Sequence, residues 1–267
     1  MDLESFNTSR ESLVPLLALN NKSNKNIIIF PTDKEAIEFS TDFSNLNKDI
    51  YHLPSWDTLS YDSFAPSLDI QGKRLEIAHL LLTTDTYNIA TSIKAIAQRI
   101  YFEELEICNI SLNEEIDFDL LTENLIHLKY QRKDRVESKG SFAIRGGQLD
   151  VFPINYDLPL RVIFDGDLVN EIKTFDTISQ RSISEKSNFL VVPATELFQI
   201  QQSDILNLSS HNKENLDDYE LFQYSQNLDL EKCLLDLTSK ATLHIVDKNL
   251  VDNQLKEIID IEKDTFE

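Results

Sequence analysis

One stretch, Lys129 to Phe164, limits what this chain can fold into more than any other. Gly140, Gly146 and Gly147 lie in it and Gly166 two positions beyond, so it takes four of the chain's five glycines. Ser141-Phe142-Ala143-Ile144 and Gln148-Leu149-Asp150-Val151-Phe152 are short alternating runs separated by Arg145-Gly146-Gly147. That pattern predicts a β-hairpin whose glycines supply positive φ at the turn. Alternation puts Phe142 and Ile144 on one face of the first strand, and Leu149 and Val151 on one face of the second. Pro153 ends the second strand because it has no backbone donor. Leu160 to Phe164 reads as a third strand, Asp165-Gly166-Asp167 as a turn, and Glu171 to Phe175 as a fourth strand. The expectation is an antiparallel meander.

The same stretch reverses the charge of its surroundings. Lys129, Arg132, Lys133, Arg135, Lys139 and Arg145 face only Asp134 and Glu137, in a chain of formal charge -21. So acidic a chain is a poor candidate for independent DNA binding, whose affinity comes mainly from Lys and Arg neutralising phosphates. Arg145 at the turn and Arg161 within a strand are the two arginines best placed to be offered to a partner.

Before this stretch, strands alternate with helices. Asn26 to Phe30 reads as a buried strand. A helix carrying Ala36, Ile37 and Phe39 follows, capped by Thr32 or Asp33 with Glu35 in its first turn. Ile50 to Leu53 is a second strand, Leu68 to Leu82 a helix with apolar spacing at Leu68, Leu75, Ala78 and Leu82, Tyr87 to Ala90 a strand, and Ile93 to Ile100 a helix. Such alternation implies a parallel sheet covered by helices. From about residue 194 the α/β character returns, with helices expected over Glu196 to Ile200 and Glu220 to Leu237, a strand over Thr242 to Val246, and a mobile loop from Gln202 to Asp218. A chain of 267 residues is long enough for two domains.

The residues now carry a resemblance. Tyr130, Arg132, Asp134, Val136, Glu137, Gly140, Phe142, Ala143, Arg145, Gly146, Gly147, Leu149, Asp150, Phe152 and Pro153 follow the pattern G-Y-x-R-V-D-x-V-E-x-x-G-E-F-A-x-R-G-G-x-L-D-x-F-P. This pattern marks the UvrB-homology module at the N-terminus of bacterial transcription-repair coupling factors (the Mfd family). Thr174-Phe175-Asp176, Gln180-Arg181-Ser182 and Val192-Pro193-Ala194-Thr195-Glu196 continue the similarity, and Leu53 to Asp62 resembles the family's FPAWETLPYD. The resemblance implies a UvrB-like α/β fold, a RecA-like parallel-sheet domain in two segments with an inserted, mainly antiparallel α+β domain. The boundaries expected are 1–107 for the first RecA-like segment, 108–193 for the inserted UvrA-binding domain, and 194–267 for the second segment. The family continues into a polymerase-binding module and a motor, so the sequence is expected to be a piece of a longer parent.

What the resemblance implies about function is protein docking: recruitment of UvrA, of nucleotide excision repair, to stalled RNA polymerase. Polymerase and DNA are reached only through the rest of the parent chain. Carried over by position, the UvrA-binding residues are Arg145, Arg161 and Phe164, with Arg132 the nearest substitute for an arginine the family places next to Tyr130. A guanidinium suits this role because it binds carboxylates bidentately and is common among interface hot spots. Plainer roles stand beside each of these. Arg145 can solvate a turn, Arg161 can pair with Asp150 or Asp167 across the sheet, and Phe164 can belong to the core, since alternation puts it with Val162 and away from Arg161. Arg132, Lys133 and Arg135 can form a solvated strand face that steers association.

No catalytic or cofactor site is expected. A phosphate-binding loop needs G-x-x-x-x-G-K-[ST], whereas no glycine precedes Gly72. Gly72-Lys73-Arg74 opens a helix without the preceding glycine. The position of UvrB's loop corresponds to Asn7 to Glu11, and UvrB's long aromatic hairpin has no room between Tyr61-Asp62 and Leu68. The alternative is a fragment of a UvrB-type ATP-dependent DNA helicase with a degenerate nucleotide site. Trp56 and Tyr61 resemble a base-stacking pair, but packing on the sheet suits their acidic surroundings better. His52, His79, His127, His211 and His244 are scattered and suggest neither metal nor triad. Cys108 and Cys233 lack a C-x-x-C partner and read as free thiols of a reducing cytoplasm. Met1 to Ser5 has no signal-peptide pattern, and runs such as Ile27 to Phe30 are too short to cross a membrane.

Overall fold

The structure, a computed structural model, describes residues 2–6, 24–45, 49–58, 62, 64–102, 104–200, 218–225, 232–238 and 241–266. They fall into two compact units. One is drawn from Met1–Pro66, Ile77–Ile100 and Gln201–Glu267, the other from Ser67–Glu76 and Tyr101–Ile200.

The first unit is built on a parallel sheet. Its strands are β1 Asp2–Phe6, β2 Lys25–Phe30, β3 Tyr51–Leu53, β4 Tyr87–Ser92 and β13 Thr242–Val246, ordered β1-β13-β2-β4-β3. β2 buries both faces, with Ile27, Ile28, Ile29 and Phe30 all within the core, which is how a strand of a helix-covered parallel sheet reads. Helix α1, Asp33–Ser44, follows β2. Thr32 is extended at φ −130 and its hydroxyl accepts from the Glu35 amide at 3.3 Å, so Thr32 is the cap. α1 turns Ala36, Phe39 and Phe43 onto Ile28, Phe30, Ala90 and Val246, with Phe30 and Phe39 rings 5.0 Å apart. Ile37, expected in the same helix, is exposed.

Two features of this unit differ from the sequence expectation. β1 was not anticipated, because a five-residue strand at a chain end is specified by its partner β13 rather than by its own pattern. The helix expected over Ile93 to Ile100 stops early, as α3 Ile93–Ala97. Gln98 is extended there, and its Oε1 accepts from the Trp56 amide at 2.8 Å. The helix expected over Glu220 to Leu237 is represented by α5 Asp218–Ser225 and a single 3₁₀ turn, Leu234–Leu237, and residues 226–231 lie outside the described residues. α6 Lys248–Phe266 follows β13. The expected loop from Gln202 lies outside the described residues up to 217.

Helix α2, Leu68–Thr83, crosses the division, and its residues up to Glu76 belong to the second unit. That unit carries a six-stranded sheet of β6 Gln131–Arg132, β7 Ser141–Arg145, β8 Gln148–Phe152, β9 Leu160–Asp165, β10 Leu168–Phe175 and β11 Ser182–Glu185. The order is β11-β10-β9-β8-β7-β6. Neighbours from β7 to β11 are antiparallel, as the meander predicted, and β6 joins β7 in parallel. A separate pair unites β5 Cys108–Ser111 with β12 Asn188–Val191, and α4 Phe118–His127 is capped by the Asp117 carboxylate on the Leu120 amide at 2.9 Å. Both faces of the sheet are packed. Phe142, Leu149, Val151, Val162 and Phe164 are buried, and so are Ala143, Phe152 and Phe175, which pack with Val136.

Glu196 to Ile200 forms a turn, not the expected helix. Its polar groups are already engaged. The Glu196 amide donates to Gln71 Oε1 at 2.9 Å, and the Leu197 amide donates to the Thr195 hydroxyl at 3.2 Å. Local side-chain acceptors of this kind compete with helix formation. The Glu196 carboxylate meets Arg74 Nε at 2.9 Å, both side chains being 2% exposed or less. The Gly72-Lys73-Arg74 triplet thus has a structural occupation. Arg74 neutralises a buried glutamate, and Gly72 lets the helix backbone approach the chain at Ile154, where a Cβ would stand 2.5 Å from the carbonyl oxygen.

Candidate functional site

The β7–β8 hairpin pairs Arg145 with Gln148 across a two-residue turn. Arg145 therefore ends the strand instead of sitting in the turn. Gly146 supplies the positive φ, +61. Gly147 serves a different purpose. The Phe164 amide donates to its carbonyl at 2.7 Å, and a Cβ on Gly147 would lie 2.9 Å from the Phe164 carbonyl oxygen. The two glycines turn the chain and then let the neighbouring strand close on it, which fixes Arg145 at the sheet margin.

Arg145 is exposed, and its Nη2 donates to the Asp134 carbonyl at 2.9 Å. It has no carboxylate partner among the described residues. Arg132 is exposed in β6, the marginal strand beside β7, and Lys133, Asp134 and Arg135 continue outward from it. The cations expected to line one segment thus stand at one edge of the sheet with Arg145. Arg135 is committed further along. Its Nη2 donates to the carbonyls of Thr177 and Ile178 at 2.8 and 2.9 Å, and its Nε lies 3.6 Å from Glu137.

Arg161 takes the pairing with Asp150 that its strand position left open. The two face each other in the β8–β9 register. Nε and Nη2 donate to the two carboxylate oxygens at 2.7 and 2.8 Å, Nη1 donates to the Gln180 carbonyl at 3.1 Å, and the guanidinium lies 4.5 Å from the Phe175 ring centroid. The bond to Asp150 raises the Arg161 pKa above the ordinary guanidinium value. Only 15% of the side chain remains exposed. Phe164 is 7% exposed and packs edge-on against Phe118 of α4 at 5.0 Å. It sits in the core, on the opposite side of its strand from Arg161, as alternation requires. The structure leaves Arg132 and Arg145 exposed on the neighbouring strands β6 and β7, on opposite faces by alternation, and turns Arg161 and Phe164 inward, also on opposite faces.

Sequence reasoning missed Arg135 as a loop clamp. Asp150 was the available signal for an internal ion pair, a charge within an otherwise apolar strand.

The remaining candidates fall elsewhere. Trp56 is buried edge-on against Phe222 at 5.7 Å, so it packs instead of stacking bases, and Tyr61 lies outside the described residues. Asn7 to Glu11 and His211 also lie outside them. His244 is buried and meets Asn26 Oδ1 at 3.1 Å. Both cysteines are free and half-buried; burial pushes the Cys108 thiol up to about 11. Among the described residues no group of His, Cys, Asp and Glu could hold a metal, and no helix is long and apolar enough to cross a membrane.

Comparison with known proteins bears on this unit most directly. Residues 108–197 match the family model described as the UvrB interaction domain. Among curated proteins, the transcription-repair-coupling factor of Mycobacterium bovis is 31% identical over 60% of this chain and 14% of its own length. That of Bacillus subtilis is 26% identical over 93% of this chain and 24% of its own. The UvrABC system protein B of Methanococcoides burtonii is 23% identical over 81% of this chain and 33% of its own. The chain thus spans about a seventh to a quarter of the length of these two coupling factors.

Proposed function

We propose, from the premise that this chain is a UvrB-like module related to the transcription-repair-coupling factors, that it is a non-catalytic docking module which recruits UvrA. Residues 108–193 supply the docking domain, with 67–76, 101–107 and 194–200 grouped with it, and the rest of 1–107 and 194–267 forms the RecA-like body that carries it. Polymerase and DNA are met through other parts of a longer parent, in the cytoplasm.

The observation that carries this reading is the placement of Arg145. It ends a strand at the margin of a well-packed sheet, exposed and held by one backbone carbonyl, in a chain otherwise strongly acidic. A guanidinium positioned in this way pays little ordering entropy on binding and keeps donors available for a partner carboxylate. Arg132 is exposed on the neighbouring edge strand, where it pairs with Phe142. Arg161 and Phe164 contribute by fixing the sheet, one on each face, the first through Asp150 and the second through Phe118.

Calorimetric titration of UvrA into the chain tests the proposal. Arg145→Ala is expected to weaken binding by well over tenfold, the cost of about 2 kcal/mol seen for a hot-spot arginine. Its melting temperature should match the parent's, since the side chain is exposed. Failure of the folded parent to bind UvrA would overturn the docking role. Equal binding by the variant would move the site away from Arg145. The helicase-fragment alternative requires a nucleotide to raise the melting temperature, and the module proposed here should show no such shift.

A further inference from the structure

Ile178 is 86% exposed, the most exposed of the large apolar side chains among the described residues. Its loop is nonetheless tightly built. The Ser179 amide donates to the Asp176 carboxylate at 2.7 Å, and the Gln180 amide to the Asp176 carbonyl at 2.8 Å. Gln180 Nε2 closes back on the Thr177 carbonyl at 2.8 Å. Gln180 adopts φ +60, a costly conformation for a residue with a side chain, which persists only where its surroundings over-determine it. Two guanidiniums provide that constraint. Arg135 donates to the carbonyls of Thr177 and Ile178 from the outer side, and Arg161 donates to the Gln180 carbonyl from the sheet.

A loop fixed this firmly around so exposed an isoleucine is an anchor held ready. Fixing the loop in advance removes the ordering cost that a flexible one would incur on binding. The anchor is also continuous with Arg145. Arg145 holds the carbonyl of Asp134, and the next residue, Arg135, holds the carbonyl of Ile178. The result is one run of contacts from Arg145 through Asp134 and Arg135 to Ile178, cationic at Arg145 with Lys133 preceding Asp134, and apolar at Ile178.

We infer that Ile178 is the apolar anchor of the docking surface, that Arg161 and Arg135 are positioning residues for it, and that the partner face is an apolar pocket rimmed by carboxylates. The cationic run in a chain of charge -21 is what specifies an acidic rim. This rests on the proposed docking of UvrA and adds a residue that the resemblance does not supply. It also gives Arg161 a way to affect binding while turned inward, by holding Gln180 and through it the loop.

The test is a titration of UvrA into the parent, Ile178→Ala, Ile178→Asp, Arg161→Gln and the Ile178→Ala/Arg161→Gln double variant. Ile178→Ala removes about three carbons from a buried contact and is expected to weaken binding roughly tenfold or more, at an unchanged melting temperature. Ile178→Asp should weaken it further, since it sets a carboxylate against an acidic rim. Arg161→Gln should weaken the parent and add little in the Ile178→Ala background, because both then act through one loop. A fall in melting temperature alone would not produce that coupling. If Arg145→Ala loses binding while Ile178→Ala binds like the parent, the anchor is wrong and the docking role stands. If the Ile178→Ala and Arg161→Gln effects add in full, the positioning role of Arg161 is wrong. A folded parent that fails to bind UvrA overturns the docking role and this inference with it.

Discussion

Gly72 shows how one residue can decide between two opposing effects. In a helix interior, alanine in place of glycine is worth up to about 1 kcal/mol through backbone entropy and propensity. Here the added Cβ would stand 2.5 Å from the Ile154 carbonyl oxygen and 2.8 Å from the Asn155 nitrogen, both backbone atoms that no rotamer change can move. Overpacking of this kind costs about 1–3 kcal/mol, so the clash wins. Gly72→Ala is expected to lower the melting temperature, measured by circular dichroism, in spite of improving helix propensity. An unchanged or raised value would mean that α2 can withdraw from the 154–155 segment. The same close approach explains why a glycine followed by lysine stands here without any phosphate to bind.

At the scale of elements, the segment from Asp176 to Arg181 is held by a carboxylate as well as by arginines. The Ser179 amide and side chain keep the Asp176 pKa below its ordinary value of 3.8. A carboxylate whose pKa is lower folded than unfolded binds fewer protons in the native state. Its contribution to stability is therefore complete above the ordinary value and disappears as pH falls through the lowered one. The loop should loosen only in strong acid, and docking near neutral pH should be insensitive to this group. Amide exchange at Ser179, followed by nuclear magnetic resonance, is expected to accelerate as pH falls below about 4 beyond the intrinsic trend. Asp176→Asn should remove that acid dependence. An identical profile in parent and variant would exclude the carboxylate as the clamp.

For the whole molecule, the governing quantity is charge. A net charge of -21 repels an acidic partner at long range, and the cationic margin of the six-stranded sheet is where that repulsion is locally reversed. Exposed charges at the rim of an interface act mainly on the rate of encounter. Neutralising Arg132 and Lys133 together, both to glutamine, is expected to slow association with UvrA several-fold and flatten its dependence on salt, with little change in dissociation. Surface plasmon resonance at several ionic strengths separates the two rates. A faster dissociation with unchanged association would make these residues direct contacts. Arg145, fixed by its hairpin, should behave in the opposite way and act mostly on dissociation.

The sequence by itself determined the local order of this protein. Glycine, proline and alternation set the hairpin at Arg145 and the meander after it, because turn conformation and strand period are properties of a few consecutive residues. Thr32 and Asp33 marked the start of α1 for the same reason, and the structure made Thr32 the cap. Tertiary structure decided what depends on partners far along the chain. It placed Asp2–Phe6 in a sheet beside Thr242–Val246, ended α3 where Gln98 reaches Trp56, and kept Glu196 out of a helix through Gln71 and Arg74. It also decided which cations face outward. Periodicity separates Arg161 from Phe164, but it leaves both Asp150 and Asp167 open as partners of Arg161, and only the register puts Asp150 opposite it to take two of its donors. Nor does any local pattern reveal that Arg135 and Arg161 grip one loop from two sides. Burial and pairing are settled only when distant segments meet, and the proposed docking surface is assembled from such meetings.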